Sequence, residues 1–102
     1  MIICTRVYTR SNPNIPWHGQ VLMTSAVNQK LVSYSTSGKM INVEKTFSED
    51  GLTFTHKSYW LDQTAFDEYD NDPDLQEFWQ QRNAYCQAVG ITIGPKDLAI
   101  SG

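Results

Sequence analysis

Lys39–Leu61, KMINVEKTFSEDGLTFTHKSYWL, carries two runs of alternating apolar and polar residues on either side of Ser48-Glu49-Asp50-Gly51. Alternation with a period of two marks a strand with two distinct faces, and two such runs around a short turn make a hairpin. Gly51 at the fourth turn position suits a type I turn closed by a G1 bulge, because glycine adopts positive φ without steric penalty. That turn sets Ser48 opposite Leu52. Counting back, Thr46 faces Phe54, Glu44 faces His56, Asn42 faces Ser58 and Met40 faces Trp60. Ile41, Val43, Lys45, Phe47, Thr53, Thr55, Lys57 and Tyr59 then share the other face. A two-residue turn is the competing register, pairing Phe47 with Leu52 and Val43 with His56. One residue of slip changes every partner.

Upstream, Ile2–Thr9 reads as a strand with Ile2, Cys4, Arg6 and Tyr8 on one face and Ile3 and Val7 on the other. Ser11-Asn12-Pro13-Asn14 is a turn cluster, and Pro16 suits a first helical position. Residues 17–37 carry a loose helical stripe through Val21, Leu22, Ser25, Ala26, Gln29 and Val32. Their many β-branched and serine residues also fit a second hairpin, Gln20–Ser25 with Leu31–Thr36. Downstream, Asp62–Tyr69 reads as a short helix. Asp72-Pro73 caps a longer one with the stripe Leu75, Phe78, Trp79, Cys86 and Val89, ended by Gly90. Ile91 and Ile93 open a last strand, and Leu98 and Ile100 fit a further extended piece.

Residues 1–102 read as one domain, with 40% apolar and 19% charged residues and a net charge of -3. That charge argues against nucleic acid, whose phosphates need clustered Lys and Arg. Apolar runs are too short to span a membrane. MIICTRVYTR lacks the basic and long apolar regions of an export signal, so a cytoplasmic chain with reduced Cys4 and Cys86 is expected. The element order β-α-β-β-α-β gives an α+β ferredoxin-like sandwich with an antiparallel sheet and its helices on one face. In the bulged register both faces of the hairpin carry large apolar groups. A homodimer packed through the bare sheet face would cover the exposed one.

Ser48-Glu49-Asp50-Gly51-Leu52, Trp60, Phe66, Tyr69, Asp72, Arg82, Tyr85 and Gly90-Ile91 give a spacing that resembles the dimeric α/β-barrel superfamily. That superfamily includes antibiotic-biosynthesis monooxygenase-like domains. The resemblance covers about half the chain. It implies paired sheets closing a dimeric barrel, a small hydrophobic molecule held between sheet and helices, and cofactor-free monooxygenase-like chemistry. Haem degradation is not implied, since the first strand has no Asn and residues 62–90 have no His. A non-enzymatic dimeric interaction protein is the alternative.

Four residues are candidates for catalysis. Glu44 and His56, facing each other with Cβ atoms about 4.5–5.5 Å apart, would make a carboxylate-assisted base. A cross-strand polar pair on a wet sheet is the plainer reading. His18, just after Pro16 at a helix start, would be held neutral by the helix dipole; an exposed first-turn His is the plainer alternative. Arg6, on a central strand, needs either an anionic ligand or an acidic partner, and pairing with Glu44 or another acid across the sheet is the plainer reading. Tyr8, Trp17, Tyr59 and Trp60 are candidate pocket walls, against ordinary core or interface packing. Phe78, Trp79, Arg82 and Tyr85 read as helix packing. Two histidines without aligned carboxylates make no metal site, and no cofactor motif is present.

Overall fold

The computed structural model describes residues 1–101. In chain order the elements are β1 (Ile2–Arg10), α1 (His18–Leu22), α2 (Ser25–Thr36), β2 (Met40–Phe47), β3 (Thr53–Trp60), α3 (Gln63–Asp70), α4 (Pro73–Val89), β4 (Ile91–Ile93) and β5 (Asp97–Ile100). The sheet is antiparallel and open, in the order β2-β3-β1-β4, with β5 also pairing to β1. This is the ferredoxin-like α+β sandwich, with each crossover helix divided in two.

Local chemistry accounts for the helix boundaries. Thr24 accepts the Val27 N–H at 3.2 Å and Asp62 the Ala65 N–H at 2.8 Å, so each satisfies a backbone donor that the first turn leaves free. Residues 17–37 are therefore helical rather than a second hairpin. Asp72 caps α4 through the Asp74 N–H at 2.9 Å, Pro73 follows it, and Gly90 ends the helix at φ 88.

The hairpin register differs from both sequence expectations. Gly51 does take positive φ, 73, and its N–H bonds the Ser48 carbonyl at 3.0 Å. But the Asp50 carboxylate accepts both the Ser48 hydroxyl at 2.6 Å and the Leu52 N–H at 3.0 Å. This clasp leaves Leu52 out of the ladder, and the Ser48 N–H bonds the Thr53 carbonyl instead. Phe47 then faces Phe54, Lys45 faces His56, Glu44 faces Lys57 and Val43 faces Ser58. A bulge between Met40 and Asn42 restores Met40 opposite Trp60. Val43, Lys45 and Phe47 thus lie on the helix-covered face, together with Ile2, Cys4, Arg6 and Tyr8 of β1 and Phe54, His56, Ser58 and Trp60 of β3. Glu44 and Tyr59 lie on the other face, which also carries Ile3, Val7 and several threonines.

Two apolar clusters occupy the ends of the covered face. One gathers Ile2, Tyr34, Trp60, Ala65, Phe66 and Leu75; the other Tyr8, Trp17, Phe54, Cys86 and Ile91. Trp60, Leu75 and Cys86 have no exposed surface. Between the clusters the sheet presents Arg6 and His56, and there the helices do not close on it.

Candidate functional site

A cavity of about 810 Å³ lies between the sheet and the helices. Its floor is the covered sheet face, including Cys4, Arg6, Tyr8, Val43, Lys45, Phe54, His56 and Trp60. Its roof includes Trp17 and His18, Leu31 of α2, Tyr69 of α3, and Phe78, Trp79 and Arg82 of α4.

Arg10 holds the segment that brings Trp17 and His18 over the sheet. Its Nε donates to the Gly51 carbonyl at 2.7 Å, one terminal nitrogen donates to the Ile15 carbonyl, and the guanidinium lies 4.3 Å from the Trp17 ring centre. The Tyr85 hydroxyl donates to the Pro16 carbonyl at 2.6 Å, tying the same segment to α4. At the start of α1 the Gln20 side chain accepts the Trp17 N–H at 3.0 Å. His18 is consequently buried, with its ring 4.7 Å from that of Tyr8 and its Nδ1 3.9 Å from Cys86 Sγ. It is not an exposed first-turn residue.

Both histidines are held neutral. Burial pushes His56 down to about 4, with the Lys45 ammonium and Arg82 guanidinium adding to the effect. Burial does the same for His18, again to about 4, assisted by Arg82 and His56. An uncharged imidazole offers one acceptor nitrogen and one donor. Burial likewise raises the Cys86 and Cys4 thiols, so neither is poised as a thiolate. Tyr8 is raised by burial, and its hydroxyl lies 3.4 Å from an Arg82 nitrogen.

Of the sequence candidates, Arg6, Tyr8, Trp17, His18, His56 and Trp60 meet at the cavity. Glu44 and Tyr59 do not. They bond each other at 2.7 Å on the opposite face, because the Asp50 clasp shifts the β2 partners by one. His56 therefore has Lys45 on one flank and Arg6 on the other, with no carboxylate opposite it. The expected pairing of Arg6 with Glu44 or another acid is not formed: among the described residues no carboxylate lies within 4 Å of Arg6, and its Nε is buried without a hydrogen-bond partner.

Sequence reasoning missed Lys45, Phe54, Trp79 and Arg82. Arg82 carried a readable signal, since Leu75, Trp79, Arg82, Cys86 and Val89 follow one helical stripe and the cation interrupts it. Lys45 was misplaced by the register alone. Among the described residues no group of three His, Cys, Asp or Glu is placed to hold a metal ion, and no helix is long and apolar enough to cross a membrane.

No protein-family model matches the chain, and no curated protein matches it. Solved structures do. SnoaB, a cofactor-independent oxygenase of Streptomyces nogalater, superposes with a TM-score of 0.66 at 12% identity, covering 99% of this chain and 92% of SnoaB. The chain has the fold of the antibiotic-biosynthesis monooxygenase-like ferredoxin proteins. A monooxygenase of Streptomyces coelicolor in complex with the ligand nanaomycin D matches with a TM-score of 0.52 at 18% identity over 96% of this chain and 82% of that one. A dimeric ferredoxin-like protein from an uncultured marine organism matches with a TM-score of 0.60 at 9% identity over 99% and 96%.

Proposed function

We propose that this chain binds an aromatic small molecule between its sheet and helices and acts on it as a cofactor-free monooxygenase-like enzyme. The observation that carries the reading is the cavity of about 810 Å³ walled by Tyr8, Trp17, Phe54, Trp60, Tyr69 and Trp79 around two neutral histidines. Such a volume and lining suit a ligand of drug-like size. The similarity to SnoaB and to the nanaomycin D complex supports the chemistry by analogy of fold. In this reading the acceptor nitrogen of His56, or of His18, takes a proton from an acidic C–H or O–H of the ligand. Arg6 stabilises the enolate or phenolate that results, and molecular oxygen is the oxidant. Glu44 and Tyr59, on the far face, have no part in it.

One observation favours a binding protein without turnover. Imidazoles held at about 4 are weak bases at neutral pH. The two readings part on oxygen uptake with a panel of enolisable polycyclic phenols. Uptake that is lost in His56→Ala, with ligand binding retained, supports the oxygenase. Binding without uptake for every member of the panel leaves a carrier or sensor.

The reading includes a homodimer joined through the face opposite the helices. The dimeric marine neighbour supports it, as does Val7, exposed on that face. The apolar surface on that face is smaller than the sequence implied, since Val43 and Phe47 belong to the helix side. Sedimentation of a stable single subunit at micromolar concentration would refute the dimer. The cavity is described within one chain and stands independently of that result.

A further inference from the structure

Four of the elements that line the cavity each interrupt an apolar row with a basic group. On β1 the row is Ile2, Cys4, Arg6, Tyr8; on β2 it is Val43, Lys45, Phe47; on β3 it is Phe54, His56, Ser58, Trp60. On α4 the stripe Leu75, Trp79, Cys86 is broken by Arg82. The interruptions coincide in space. Lys45, His56 and Arg6 are directly paired across three adjacent strands, and Arg82 reaches the same cavity from above.

Among the described residues no acid is paired with this charge. Of the chain's eleven acids only Asp70 lines the cavity, and it bonds Lys96 at 2.6 Å. Among the described residues no carboxylate is within 4 Å of Arg6, Lys45 or Arg82. The Arg6 Nε has no partner at all. Arg6 and Lys45 flank the neutral His56 from either side; Lys45 is exposed, but Arg6 is half-buried, and a charge taken out of water is tolerated best when paired. A cleft lined by one sign of charge concentrates ions of the other. An anion seated there would give the buried Arg6 Nε the partner it lacks.

We propose that the ligand is an aromatic organic anion whose carboxylate or equally acidic oxygen seats on the Arg6–His56–Lys45 row beneath Arg82. This rests on the reading of the cavity as a ligand site and names the class of molecule it takes. The guanidinium of Arg6 offers its free Nε–H to the anion, His56 donates its ring N–H, and Lys45 and Arg82 supply charge at either side. The aromatic body lies against Phe54, Trp60, Tyr69 and Trp79. The net charge of -3 on the chain is carried elsewhere, so the basic row selects for the anionic group locally rather than attracting polyanions to the whole surface.

Two dyes with one aromatic body test this: 8-anilinonaphthalene-1-sulfonate, an anion, and N-phenyl-1-naphthylamine, its neutral counterpart. The wild-type chain should bind the sulfonate at least about tenfold more tightly, the scale of one charge-assisted hydrogen bond. Arg6→Met and Lys45→Met should each lower that ratio several-fold while leaving the affinity for the neutral dye within about twofold. Lys57→Met removes the same charge from the opposite face and should leave the ratio unchanged. The neutral dye reports whether the cavity is intact, and if Arg6→Met fails to fold, Lys45→Met at its exposed strand position gives the same readout. Equal affinity for both dyes, or a ratio indifferent to Arg6 and Lys45, overturns the anion site while the cavity reading survives. Failure of both dyes to bind the wild type overturns both.

Discussion

The Trp60 end of the covered sheet face and its centre are built from similar residues and satisfied very differently. At the Trp60 end no fully buried side-chain nitrogen or oxygen among the described residues lacks a partner. The Trp60 indole N–H donates to Ser58 Oγ at 2.9 Å, the Tyr34 hydroxyl donates to Asp72 at 2.5 Å, and Lys30 approaches the same carboxylate at 3.2 Å. Two residues along from Cys4 and Ser58, Arg6 and His56 face the cavity, with Lys45 and no carboxylate across the strands from them. The first arrangement is that of a core, in which satisfied polar groups specify one packing. The second forgoes stability, a pattern expected of a place kept for a ligand.

Substitutions at the two ends of this contrast should differ most. Leu75 has no exposed surface, and Leu75→Ala should cost about 2–5 kcal/mol in a urea unfolding curve. Trp60→Ala should fall in a similar range, about 3–5 kcal/mol. Values near zero would mean that this end is not the core.

Asp72→Ala should come next, at about 1–2 kcal/mol, because it removes the α4 cap and leaves the Tyr34 hydroxyl only the Glu68 carbonyl at 3.4 Å. Burial alone would raise the Asp72 carboxyl, but the bonds from Tyr34, the Asp74 N–H and Lys30 hold it below the ordinary range. A depressed carboxyl contributes stability above its unfolded pKa, and that contribution is lost as the pH falls through the folded value. Wild type should therefore lose stability below about pH 4, and Asp72→Asn should lose less over that window.

The centre should answer to pH in a milder range. His18 and His56 titrate at about 4 when folded against 6.5 ordinarily. As the pH falls the unfolded chain takes up protons first, so stability is full above 6.5 and declines between 6.5 and 4. Urea midpoints measured across that interval should slope downward, and His56→Gln should flatten the slope. An unchanged slope would mean that His56 is not held neutral.

Most of the fold was legible because its signals are local. Asp72-Pro73 and Gly90 bound α4 as their chemistry requires, and alternation on Ile2–Tyr8 assigned each β1 side chain to its face. The register was not legible, since it depends on a carboxylate bonding across its own turn and on a bulge at the far end of β2. That single displacement paired Glu44 with Lys57 and put Lys45 beside His56. A carboxylate-assisted base read from the sequence is, in three dimensions, a neutral imidazole flanked by two cations. Arg6 was recognisable as a cation in need of a partner, with Glu44 or another acid expected to supply it; that no acid does so emerges only once the acids are placed.

The central claim is that the middle of this sheet is a seat for a ligand and not part of the core. Its most direct test is the unfolding free energy of Arg6→Met with no ligand present, since methionine keeps the aliphatic stem and removes the unpaired charge. The account predicts a stability equal to or above that of the wild type. A loss of about 2 kcal/mol or more, comparable to emptying the Leu75 site, would contradict it.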